Sequence, residues 1–304
     1  NLHMMAESFP FFAKAYRRIL ETSRTYTPGW ESIYYNAHND FTWQSTVLLA
    51  PLVETDDDET VRRKMVATAT YLDIWLMRRA VNYIRVGYSS VSYAMWMLCR
   101  DIRRKPLNEV IAILKQRLLD DEVSFEGSPS KGRTGLDGLG LNQFSRRYIY
   151  HLLARVTEFT ERGAGRTETF DKLVNREAKN PFDVEHIWAN NYETVQEHFA
   201  NPQEFDEWRN HVASLLLLPA DVNRSLQDKP YEYKREPYSK QNFYAASLDD
   251  RAYLHQPQFQ QFIAATGLPF KSVAHFTKAE QLARRELVKA MVELVWSPAR
   301  LEAV

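Results

Sequence analysis

The sequence has 304 residues, 44% of them hydrophobic and 13% aromatic, which excludes a disordered chain and leaves room for one large domain or two modest ones. One cysteine, Cys99, excludes an internal disulfide and a cysteine-rich zinc centre; with no signal peptide and no apolar run of membrane-spanning length, it points to a reducing, cytoplasmic setting without membrane contact. The formal net charge is zero, so any nucleic-acid-binding surface must be local, as at Arg100, Arg103, Arg104 and Lys105 or at Arg146 and Arg147, clusters that otherwise read as solvated helix faces.

Asn1–Met4 reads as a cloning remnant in front of a fragment of a longer protein. From Phe9 to about Glu122 the pattern is helical. Phe11 to Leu20 places apolar residues three and four apart, and Thr60–Tyr83 runs without Pro or Gly. Pro106 opens a further helix with Val110, Ile111, Leu114 and Leu118 at helical spacing. Residues 1–125 are therefore expected to form a helical bundle domain. Residues 126–143, which hold Gly127, Gly132, Gly135, Gly138 and Gly140, are expected to be a flexible surface loop. They lack the pattern of a phosphate-binding loop. Ser145–Glu161 and Lys278–Val295 are helical by the same periodicity.

Between those helices the period changes. Phe182 to Trp188 alternates as a short strand, and Asn190-Asn191 is a turn signal. Asn201-Pro202-Gln203-Glu204 looks like a helix start. Val212 to Leu218 is a second apolar run that Pro219 stops, and Asp221 is placed to cap a helix from Val222. This order brings polar groups suited to phosphate chemistry to the end of the first strand and the start of the helix. Hydrolysis of a phosphodiester needs a base near neutral pH, a role for the imidazole of His186. It also needs a hard divalent ion on oxygen ligands, for which Glu185 offers a carboxylate and Asn223 an amide oxygen. Adjacent residues point to opposite faces of a regular strand, so the two roles require the strand to end or twist at Glu185-His186.

These pieces in order, Val184-Glu185-His186-Ile187, Val212 to Pro219, Asn223, Lys234 and Tyr238, resemble the HNH domain of GmrSD-type and SspE-type restriction nucleases. The closing helix with Arg284, Arg285, Leu287 and Trp296, and the segment Trp75 to Ala80, are similar to other parts of that family. The resemblance implies a mostly α fold, a helical bundle with a small ββα-metal (HNH) motif embedded in helices, the nuclease domain spanning residues 144–304. It implies a DNA-nicking endonuclease of anti-phage restriction, with His186 as general base, Glu185 and Asn223 holding Mg²⁺ or Mn²⁺, and Lys234 near a phosphate. The expected products are a 5′-phosphate and a 3′-hydroxyl. The expected partners are DNA, phage DNA above all, and an N-terminal nucleotidase domain without a counterpart here.

The sequence departs from the family where a bracing Asn is usual: Ser214 stands there, Ala213 replaces the preceding Gly, and His211 is a possible substitute brace. Lys229, Lys234, Arg235 and Lys240 interleave with Tyr231, Tyr233 and Tyr238; the pattern also suits a loop packing its rings on the fold, but following the metal-site helix it favours a nucleic-acid groove, with Lys229, Lys234, Arg235 and Tyr238 as phosphate or DNA contacts. His38 suits capping, and His151, His198, His255 and His275 suit structural roles. The alternatives are a catalytically weak DNA-binding or regulatory module with a degenerate site, and an RNA nuclease.

Overall fold

The computed structural model describes residues 4–304, so most of the proposed cloning remnant lies outside the described residues. The chain divides into two compact units: residues up to 133 together with 296–304, and residues 134–295. The division falls inside the glycine-rich segment, and the last nine residues join the first unit.

The first unit is helical. Its elements are α1 (Phe9–Arg24), α2 (Glu31–His38), α3 (Gln44–Leu49), α4 (Asp58–Ala80), α5 (Tyr88–Ile102) and α6 (Leu107–Leu119). The Asp57 side chain caps α4 by accepting from the Thr60 amide at 2.7 Å. Sequence periodicity suggests one apolar side for α4, but every residue from Lys64 to Met77 is buried. The reason is its central place: α2, α3, α6 and residues 298–301 all pack on it. Its buried charges are paired. Lys64 meets Asp56 at 2.8 Å, and Asp73 accepts from Trp296 Nε1 at 2.9 Å and from Arg300 at 3.1 Å.

The second unit contains α7 (Arg146–Gly163), α8 (Phe170–Val174), β1 (Phe182–His186), α9 (Pro202–Asn210), β2 (Leu215–Pro219), α10 (Ala220–Leu226), α11 (Tyr231–Ser239), α12 (Phe243–Ala246), α13 (Pro257–Thr266) and α14 (Lys278–Val295). β1 and β2 are antiparallel, with Glu185 opposite Leu216 and His186 opposite Leu215. Leu215 to Leu218 are fully buried, because α7, α10 and α12 also pack on β2. The fold is thus mostly α, with one two-stranded sheet followed by a helix.

The glycine-rich segment carries short helical turns at Pro129–Lys131 and Gly135–Gly138. Gly127, Gly132 and Gly135 adopt positive φ, which glycine tolerates, and so let the chain turn tightly. Beyond them Leu136 and Leu139 are buried, and the Leu139 carbonyl accepts from the Val212 amide at 2.9 Å. Among the described residues no helix is long and apolar enough to cross a membrane.

Candidate functional site

β1 ends at His186, as the two-role arrangement at Glu185-His186 requires. Glu185 turns inward and is buried. Its Oε1 accepts from Lys234 Nζ at 2.8 Å and from the Tyr238 hydroxyl at 2.7 Å. Both bonds fall on Oε1, and among the described residues no donor occupies Oε2. Lys234 Nζ also donates to the His186 carbonyl at 2.8 Å, which ties α11 to the end of the strand. Burial lowers the pKa of Lys234, with the Glu185 charge acting the other way. Tyr238 is fully buried; from there its hydroxyl supports the carboxylate from inside the fold, rather than meeting a strand laid on the surface.

His186 is half-buried, and its Nε2 lies 2.9 Å from Asn210 Oδ1. Burial lowers its pKa to about 4, helped by the positive charges of Arg209 and Lys234 and opposed by the bond to Asn210. The imidazole is therefore neutral near pH 7. Asn223 stands on α10 and donates from Nδ2 to the Val184 carbonyl at 3.1 Å. That bond draws the helix against β1 one residue before Glu185. Its amide oxygen takes no hydrogen bond among the described residues. The helix begins at Ala220, two residues earlier than expected, and Asp221 accepts from the Val222 amide within its first turn instead of standing before it.

The brace positions are both buried. Ser214 Oγ donates to the Trp208 carbonyl at 2.7 Å, and its carbonyl accepts from the Ile187 amide at 2.9 Å. His211 Nδ1 accepts from the Ala213 amide at 3.1 Å. Its pKa is lowered to about 4 by burial first and then by Arg285.

The remaining basic candidates separate. Arg235 lies 3.5 Å from both Asp249 and Asp250, so its charge is balanced within the fold. Lys229 is exposed in the turn after α10.

Three groups near the site escape sequence reasoning. Arg209 donates from Nε to the Trp188 carbonyl at 3.2 Å and lies within electrostatic reach of His186, Glu185 and Asp228. Asn210 holds the His186 ring, and exposed Asp228 acts electrostatically on Arg209 and Lys234. Arg209 and Asn210 end a helix in the stretch between the strands, and no local pattern marks their approach to β1. Among the described residues no group of three or more His, Cys, Asp or Glu side chains is placed to hold a metal ion.

Residues 137–255 match the family model of the C-terminal domain of GmrSD restriction endonucleases. That span contains β1, β2, α10 and α11, with Glu185, His186, Arg209, Asn210, Asn223, Lys234 and Tyr238. No curated protein and no solved structure is detectably similar to the chain.

Proposed function

From residues 137–255 as a domain of the GmrSD restriction endonuclease C-terminal family, we propose that the chain is a divalent-metal-dependent DNA nickase of the HNH type. The observation that carries this is the end of β1. There a neutral imidazole and a carboxylate stand on consecutive residues, with the Asn223 amide drawn to the same strand.

The donor set fits a hard cation. Mg²⁺ keeps several waters and takes one or two protein oxygens. Among the described residues no donor claims Glu185 Oε2 or the Asn223 amide oxygen. Bound there, such an ion would neutralise charge developing on the phosphate and on the departing oxygen. The protein's own groups account for the rest. His186 takes a proton from water, the resulting oxygen attacks phosphorus, and the P–O3′ bond breaks. The products are a 5′-phosphate and a 3′-hydroxyl whose proton comes from solvent. Arg209 places a half-buried positive charge beside the base, suited to a phosphodiester. An imidazole with a pKa of about 4 is a weak base, and the negative charge of a bound phosphate would raise it. The biological setting we assign is restriction of phage DNA, together with the nucleotidase domain that the family resemblance implies.

A second function is favoured by two contacts on one oxygen. Lys234 and Tyr238 already occupy Glu185 Oε1, as expected of a module that binds DNA without cutting it. Incubation with end-labelled duplex DNA and with RNA, in Mg²⁺ or Mn²⁺ and then with chelator, separates the possibilities. The nickase gives chelator-sensitive DNA products bearing 5′-phosphates. The binding module gives salt-sensitive retention without products, which would overturn the nickase assignment.

A further inference from the structure

Three consecutive residues at the end of β1 are held by one segment. The His186 ring meets Asn210 Oδ1 at 2.9 Å, the Ile187 amide donates to the Ser214 carbonyl at 2.9 Å, and the Trp188 carbonyl accepts from Arg209 at 3.2 Å. That segment is itself fixed. The Asn210 carbonyl accepts from the Leu141 amide at 2.7 Å, the Val212 amide donates to Leu139, and Ser214 Oγ closes on Trp208. The only contact to the imidazole within this set comes from Asn210.

A carboxamide oxygen accepts and cannot donate, so its bond to His186 requires a proton on Nε2. In a neutral imidazole the lone pair then resides on Nδ1. We propose that Asn210 is a positioning residue for His186: it fixes the ring orientation and the Nε2-protonated tautomer, leaving Nδ1 as the atom that takes the proton from water. This rests on His186 acting as the base. It gives Asn210, at the end of α9, the contact to the ring itself, beside the backbone contacts that Ser214 makes with Trp208 and Ile187.

The test combines a spectroscopic and a kinetic readout. Nitrogen–proton correlation spectra of histidine-labelled protein, with His186→Ala identifying the signal, should show His186 protonated on Nε2. Asn210→Ala should give a mixture of tautomers. It should also lower kcat for plasmid nicking by about ten- to a hundredfold with KM little changed, a part of what a general base contributes. Asn210→Asp keeps an acceptor oxygen and should restore both the tautomer and most of kcat. A wild-type His186 protonated on Nδ1, or an Asn210→Ala protein with unchanged tautomer and kcat, overturns the proposal. Loss of thermal stability and a raised KM in both variants, with the tautomer intact, likewise assigns Asn210 a merely structural role. A wild type that holds the Nε2 tautomer but never nicks DNA overturns the nuclease function and leaves the positioning contact standing.

Discussion

Lys234 and Glu185 form an ion pair that solvent hardly reaches: Nζ lies 2.8 Å from Oε1, and the side chains are 1% and 4% exposed. Removing one partner of such a pair leaves an uncompensated buried charge. Lys234→Met should therefore destabilise the protein by about 3–5 kcal/mol in urea unfolding. The double variant with Glu185→Gln should lose less than the sum of the two single changes, because neither charge is then stranded. Additive losses would show that the two side chains do not depend on each other.

Stability should fall in mild acid through His211. Its folded pKa is about 4, while an unfolded histidine titrates near 6.5. The unfolded state thus binds the proton first as pH drops. The stability is fully present above about pH 6.5 and is lost as pH falls toward about 4, by at most about 3 kcal/mol. Urea midpoints at pH 7 and pH 5 should differ less in His211→Asn than in the parent. An equal difference would remove His211 from the explanation.

Ser214 contributes through its hydroxyl. Ser214→Ala deletes the donor to the Trp208 carbonyl and leaves that carbonyl without its 2.7 Å partner. A loss of about 1–2 kcal/mol is expected. Amide exchange should accelerate at the end of α9, and unchanged exchange there would contradict the bracing role.

Arg209 should matter for substrate more than for the fold. Its hydrogen bond among the described residues runs from Nε to the Trp188 carbonyl, so its terminal nitrogens are available to phosphate. Arg209→Gln should weaken DNA binding at every sequence and reduce the salt dependence of affinity by about one phosphate contact. Unaltered affinity and slope would place the phosphate elsewhere.

The pieces of the site that sequence could carry are those fixed by local order. Glu185 and His186 close an alternating strand, and Asn223 follows Pro219 at the start of a helix; each is legible from neighbours in the chain. The mostly α fold follows in the same way from periodicities such as Val110 to Leu118 and Leu282 to Leu294. What remained hidden depends on packing between distant segments. Nothing near Tyr238 announces that its hydroxyl meets Glu185, or that burial turns Lys234 into that carboxylate's partner. Asn210 and Arg209 read as the polar end of a surface helix until β1 is placed beside them. The contact of the glycine-rich stretch is hidden for the same reason: Leu139 meets Val212, a residue of the turn before β2.

The central claim is that His186 activates water for cleavage of one DNA strand. The most direct measurement compares wild type with His186→Ala on supercoiled plasmid in Mg²⁺ or Mn²⁺, with circular dichroism to establish that both are folded. The wild type should convert supercoiled DNA to open circles, and the variant should be slower by about a hundredfold or more. Open circles formed equally fast by the variant, or not at all by the wild type, would contradict it.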